Sequence, residues 1–384
     1  TAMMHATPAA APPDRLEQAG LFAVFGVAAA LQFSIAAAQS LLAVGVVCYL
    51  ALLISRKEAA EVPRAFWPIG LYAALTLLSA AFSPQPLVSL RPCKQLVLFL
   101  LVPLTYRFVR GRAALVLATV ILSVAAASAA FGIFQYGILH YDNLGQRPQG
   151  TLGHYMTYSG LLMLVIGLAL ARVLFDKRER TWAALVMPAL AVAVALTFTR
   201  SAWVGACAGA ALLFSLKDFR LLAVLPVVAA VFFALAPSAL TARFVSMFDL
   251  KDPTNRDRVA MMREGQHMIR THPLLGIGPN MVQVLYAEYR DPDAVEAVNP
   301  HLHNVPMQIA AERGVPAAAT WAWFIGSLLV AIAGLFRKGE HRFLAAAALA
   351  AIVSMLAAGM FEYNFGDSEF LMLFLILVTL PFAA

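Results

Sequence analysis

The chain has 384 residues, of which 61% are hydrophobic and only 13% charged, with a mean hydropathy of +0.77. Soluble domains are closer to half apolar and a quarter charged, so no single aqueous core hides this surface and most of its solvent is lipid. The net charge of +7 is the Lys/Arg excess that cytoplasmic loops carry, which sets aside a nucleic-acid partner.

Residues 1–19, TAMMHATPAAAPPDRLEQA, are Ala/Pro-rich and polar, show no cleavable signal pattern, and read as a loose cytoplasmic leader. Apolar runs follow at 20–36, 38–55, 66–82, 87–106, 113–139, 156–174, 182–199, 201–216 and 221–238, and again at 315–336, 343–361 and 369–384. Each approaches the ~20 residues that cross the hydrocarbon layer as a helix. The expected fold is therefore an all-α polytopic membrane protein of about twelve transmembrane helices, nine within 20–238 and three within 315–384. Cys48, Cys93 and Cys207 match no metal or CxxC spacing and read as packing residues.

Orientation follows from the short loops. Arg56/Lys57/Arg64, Arg107/Arg110/Arg112, Arg172/Lys177/Arg178/Arg180, Lys217/Arg220 and Arg337/Lys338/Arg342 alternate onto one side, which the positive-inside rule makes cytoplasmic, with both termini. The other side receives the one long loop, 239–314. Loops of that length are usually functional. After Asp252-Pro253 it carries a helical segment whose Val259, Met262, Met268 and Ile269 suggest an apolar stripe lying on the membrane surface. HPLLGIGPN then breaks the helix. A short helix is expected from Asn304, a good N-cap, to Gly314, with Pro306 tolerated in its first turn.

Ionisable residues at the outer rim need a reason, because charge at membrane depth is costly. Arg200 stands between two apolar runs with almost no loop around it. Snorkelling to lipid headgroups is one account; a planar, permanent cation for phosphate is the other. Arg147, in the outer loop RPQGTLGHYMTYSG, carries the same two readings. On the surface helix, Arg256 and Arg263 share a face and Arg258 lies on another. In HLHN, His301 and His303 have three readings: packing or capping, a metal site with His272 or Glu312, or a general base. Their spacing matches no zinc pattern, so no metal is expected. A histidine just before a helix N-terminus meets the positive end of the dipole, which favours the neutral imidazole that removes a proton from a hydroxyl.

Together these segments resemble the O-antigen ligase and polymerase superfamily. HNVPMQIAAERGVPA is similar to that family's His-Asn…Glu-x-Gly element, aligning His303 with its essential histidine, followed by Asn304, Glu312 and Gly314. RVAMMREGQHMIRTHPLLGIGPN resembles the upstream element with Arg258 as its arginine and Gly276 and Gly278 in its turn. TRSAWVGA and RPQGTLGHYMTYSG resemble the elements carrying Arg200 and Arg147. Met262 and Ala317 depart from the residues often found at their positions. The resemblance implies a GT-C-like membrane glycosyltransferase. One dominant loop, rather than two, implies a ligase in the bacterial inner membrane. It would move O-antigen polysaccharide from undecaprenyl diphosphate to lipid A–core oligosaccharide at the periplasmic face, inverting the anomeric centre without metal or other cofactor. His303 would be the base, and Arg200, Arg258 and Arg147 would hold the diphosphate. Asn304, Glu312, Gly314 and His301 would support them. The alternatives are a polymerase or protein oligosaccharyltransferase of the same superfamily and, from another class, a secondary transporter of an anionic solute.

Overall fold

Each apolar run read from the sequence centres on a helical segment. The computed structural model describes residues 14–177, 179–339 and 341–384, so most of the expected leader, and Arg178, lie outside the described residues. The helices are α1 (Arg15–Ala30), α2 (Ile35–Arg56), α3 (Trp67–Ala81), α4 (Pro86–Leu90), α5 (Leu101–Phe108), α6 (Arg112–Gly137), α7 (Tyr155–Phe175), α8 (Arg180–Leu196), α9 (Arg200–Lys217), α10 (Val224–Leu235), α11 (Ser238–Val245), α12 (Pro253–Thr271), α13 (Met281–Val284), α14 (Tyr286–Tyr289), α15 (Val305–Lys338), α16 (Arg342–Gly359) and α17 (Ser368–Ala383). A 3-10 stretch, Arg91–Leu100, joins α4 to α5, where Pro92 and Pro103 remove two backbone donors.

Among the described residues, six segments are long and apolar enough to cross a membrane: α2, α4–α5, α6, α7, α15 and α16. The protein is thus a multi-pass membrane protein. The difference from the expected twelve lies in shorter helices: α1 (16 residues), α3 (15), α8 (17), α10 (12), α17 (16) and the 18-residue α9, which carries Arg200 and Lys217 at its ends.

Helices α7 and α16 are the most buried of the spanning helices and form the centre, packed on each other and on α9, with α17 and α15 completing the ring around α16. Their apolar residues run all round the axis, as a helix enclosed by others requires. Close approach of α9 to α16 depends on small residues one turn apart. A Cβ on Gly205 would come 2.8 Å from the Ser354 carbonyl oxygen, and one on Gly209 would come 2.3 Å from Ser354 Oγ. This is the small-xxx-small packing that substitutes for a hydrophobic driving force in lipid.

The two ends of the bundle differ chemically. At one end Arg56 pairs with Asp14 and Glu17, and Arg107 with Glu17 and Glu58, tying α1, α2 and α5 together. At the same end of α7, Arg172 pairs with Glu179, and Arg342 lies over Phe336 at 4.5 Å. The other end gathers the starts of α7, α9, α15 and α17, and over them the long loop.

Within that loop, Asp252 starts α12 by accepting the amides of Thr254 and Asn255. Of the residues expected to form a membrane-surface stripe, Val259 and Met262 are 44% and 46% exposed, while Met268 is buried with Asp257, Ala260, Met261, Glu264 and Gly265. This inward face contains two carboxylates, which hydrophobic periodicity does not flag. Asp257 accepts the amides of Val295 and Glu296 (3.0 and 3.1 Å) and Asn299 Nδ2, and Glu264 accepts the amide of Asp291 (2.8 Å). Those bonds satisfy Asp257 and one oxygen of Glu264, whose Oε2 stays buried without a partner, and they pin the 291–299 segment onto the helix.

Candidate functional site

The short helix expected after Asn304 begins there. Asn304 Oδ1 accepts the Met307 amide at 3.0 Å, a cap that contributes about 1 kcal/mol, and its Nδ2 donates to the Met360 carbonyl at 3.2 Å. Gly314 ends the helical run with φ 84° and ψ 165°, a kink inside α15 open essentially to glycine alone. There the backbone meets the HPLLGIG turn. The amides of Ile277, Gly278 and Val315 donate to the carbonyls of Ala311, Glu312 and Pro273 at 2.8–2.9 Å. A Cβ on Gly276 would strike the Glu312 carbonyl carbon at 2.3 Å. Glu312 itself is buried and bonded to Arg313 at 2.9 Å. Glu312 and Gly314 therefore shape the loop, and neither is among the residues lining the two cavities that His303 borders.

His303 precedes the cap in the left-handed region, at φ 48°. That conformation is uncommon for a non-glycine residue and marks a residue held by its surroundings. Its Nδ1 lies 3.0 Å from Glu362 Oε2, and His301 Nε2 lies 3.7 Å from Glu362 Oε1. Burial alone would raise the Glu362 carboxyl. The charge and hydrogen bond of His303, with His301 beside it, instead pull it down to about 2. Burial, then the neighbouring His303, pushes His301 down to about 4 against the pull of Glu362. Near pH 7 the carboxylate is ionised and His301 neutral, so the hydrogen-bonded pair is His303–Glu362.

His303 and Glu362 form a wall between two cavities. The first, of about 290 Å³, is also lined by Arg147, Arg200, Arg243 and Arg258. The second, of about 410 Å³, is lined by His154, Thr157, His301, Tyr363 and Asp367. Arg200 is 5% exposed and donates to the Ser246 carbonyl and Oγ (both 3.2 Å) and to Asp252 at 3.5 Å. Arg147 donates Nε to the Leu144 carbonyl and stacks 4.2 Å above the Tyr155 ring. Nε of Arg243 and of Arg258 is buried with no hydrogen-bond partner. Among the described residues, only Arg200 of these four has a carboxylate within 4.0 Å. Burial, then the charges of Arg200 and Arg147, pushes Arg243 down to about 10; burial, then Arg200, also lowers Arg258. Four guanidinium groups thus crowd a partly dry space, an arrangement suited to a multiply charged anion.

The structure brings together Arg147, Arg200, Arg258 and His303, joined by Arg243, and separates Arg256 and Arg263 from them. Arg263 lies on the surface, paired with Asp293 at 2.9 Å and Asp291 at 3.5 Å, and Arg256 is exposed. His272 contacts Thr271 away from the histidine pair, and the group that converges with His301 and His303 contains Glu362 in place of His272 or Glu312. Sequence reasoning missed Arg243 and Glu362. The signal for Arg243 was the one that found Arg200, an arginine at the outer rim of a span. For Glu362 it was a turn of seven residues, 362–368, holding two acids, Glu362 and Asp367, between two spans.

Residues 183–322 match the family model described as O-antigen ligase. The matched stretch runs from α8 into α15, includes Arg200, Arg243, Arg258, His303, Asn304 and Gly314, and leaves out Arg147 and Glu362. No curated protein matches the chain.

Proposed function

We propose, with the O-antigen ligase domain at residues 183–322 as premise, that the protein transfers O-antigen polysaccharide from undecaprenyl diphosphate to lipid A–core oligosaccharide at the periplasmic face of the inner membrane. The observation that carries this reading is the shared wall: one base–carboxylate pair, His303–Glu362, faces both an arginine-lined cavity and a second, mainly apolar one into which His154, Thr157, His301 and Asp367 also face. The donor diphosphate occupies the first, held by Arg147, Arg200, Arg243 and Arg258. The acceptor sugar enters the second.

His303 accepts the proton of the acceptor hydroxyl as its oxygen bonds to the anomeric carbon of the donor. The bond from that carbon to the diphosphate oxygen breaks, and undecaprenyl diphosphate leaves with the electron pair. A single displacement inverts the anomeric centre. Glu362 orients the imidazole and stabilises the imidazolium that forms. The arginines stabilise charge on the leaving diphosphate from fixed positions, with little reorganisation at the transition state, so this route runs without a metal.

Complementation of a ligase-deficient strain tests the reading. His303→Ala is expected to yield no O-antigen ladder on lipopolysaccharide gels while lipid-linked polymer accumulates. Arg200→Ala, Arg243→Ala and Arg258→Ala each lower transfer by roughly 10²–10³-fold, as loss of one preorganised donor does. A normal ladder from membrane-inserted His303→Ala protein overturns the base. A single-repeat band in a strain lacking the wild-type protein identifies a polymerase instead.

A further inference from the structure

The wall between the cavities contains a donor set that the transfer reaction does not use as such. We infer that His301, His303 and Glu362 form a binding site for a borderline divalent cation of the Zn²⁺ class, and that its occupancy inhibits the enzyme by engaging His303. The inhibition rests on the proposed role of His303 as base; the site itself does not.

Geometry is the first support. Each residue offers one ligand atom, and the three lie within 4.8 Å of one another, with imidazole-to-carboxylate separations of 3.0 and 3.7 Å. A tetrahedral zinc ion with bonds near 2.0–2.1 Å spaces its ligands about 3.3 Å apart. The two separations run to different oxygens of Glu362, and a set confined within 4.8 Å closes on an ion by side-chain adjustment alone. The imidazole rings already sit edge to face with centroids 4.2 Å apart.

Ligand chemistry is the second. Two imidazoles and one carboxylate suit Zn²⁺, Cu²⁺, Ni²⁺ or Co²⁺, whereas Mg²⁺ and Ca²⁺ prefer all-oxygen sets. His301 Nδ1 is buried with no hydrogen-bond partner, and its Nε2 stands too far from Glu362 for a hydrogen bond. The ring of His301 therefore turns to a metal without breaking a hydrogen bond to another residue's side chain. The adjoining cavities supply a route in and leave a fourth position for water. Opposing this, Arg258 lies over Phe361, one residue from Glu362, and its charge repels a dication. That repulsion fits a site filled at metal excess better than a resident cofactor.

Untagged protein purified in detergent and stripped with chelator is titrated with Co²⁺ and followed by visible absorption. The expected result is one equivalent showing the intense bands of four- or five-coordinate cobalt, displaced by Zn²⁺ but not by Mg²⁺. His301→Ala lowers the Co²⁺ affinity at least tenfold. X-ray absorption of Zn²⁺-loaded wild-type protein, which needs no variant, is expected to register imidazole ligands. Faint six-coordinate bands in the wild type, or undiminished binding in folded His301→Ala protein, overturn the site. In a transfer assay with the purified enzyme, Zn²⁺ inhibits at the concentration that fills the site and chelator restores the rate. Binding that leaves transfer unchanged overturns the inhibition, and with it the base role of His303, while the metal site stands.

Discussion

A carboxylate placed against an imidazole fixes the ring's orientation and stabilises the cation that forms when the ring accepts a proton. Glu362 is ionised throughout the physiological range, being held down to about 2, so it acts on His303 through charge and hydrogen bonding and does not itself exchange the proton. On the proposed reading Glu362 is a positioning residue, and Glu362→Gln keeps the shape while removing the charge. The expected outcome is a kcat lowered by about 10²-fold or more, within the 10²–10⁴ that general acid–base catalysis supplies, with KM for the lipid-linked donor little changed. Glu362→Asp recovers part of the rate. A rise in KM at unchanged kcat would assign Glu362 to substrate binding instead. At this scale the sequence was informative wherever a residue broke a local rule. Arg147, Arg200 and Arg258 were charges at an apolar rim, and His303 preceded a helix cap. The partner of His303 was hidden because it comes from 59 residues away, and no spacing rule links the two segments.

Between residues and fold, the seam that joins the HPLLGIG turn to the end of the 305–313 helical run decides where His303 sits. It is made of backbone: amides of one segment donate to carbonyls of the other, and Ser79 Oγ adds a bond to the Glu312 carbonyl at 2.8 Å. Side chains at the contact would force the strands of the seam apart. A Cβ at Gly314 would lie 2.1 Å from the Leu274 carbonyl oxygen, and its φ of 84° is itself strained for any other residue. Gly314→Ala is therefore expected to destabilise by about 3 kcal/mol or more, combining backbone strain with the clash, and to reduce transfer by displacing His303. Gly326, farther along α15, has open space around its Cβ position. Gly326→Ala removes only the helix penalty of glycine, so it is neutral or stabilises by up to about 1 kcal/mol. Thermal melts of both purified variants check the pair; equal Tm values would refute the seam as a structural determinant. The boundaries of this segment were legible, since Asn304 and Gly314 are strong local signals. The buried face of α12 was not: its acids accept hydrogen bonds from a loop more than 25 residues downstream, and hydrophobic periodicity carries no trace of such bonds.

Across the whole molecule, apolar length located the helices well and counted crossings less well, because helices of 12–18 residues fall at the margin of what a bilayer requires. Charge adds what length lacks. The ion pairs of Arg56, Arg107 and Arg172 lie at the end of the bundle opposite the four site arginines. Basic residues on short loops choose the cytoplasm because they resist translocation, whereas long loops cross largely regardless of charge. The arginine-rich site is carried mainly by the long loop and the helix ends beneath it, so its positive charge does not contradict an external position. The expected topology is tested by accessibility, starting from a variant with Cys48, Cys93 and Cys207 replaced by alanine. Glu288→Cys, on exposed α14, is expected to react with a membrane-impermeant maleimide in intact spheroplasts. Arg337→Cys, exposed at the far end of α15, reacts only after the membrane is opened. The reverse pattern would put the His303–Glu362 wall in the cytoplasm, where a lipid-linked polymer already moved to the outer leaflet could not reach it, and the proposed transfer would fall with the topology.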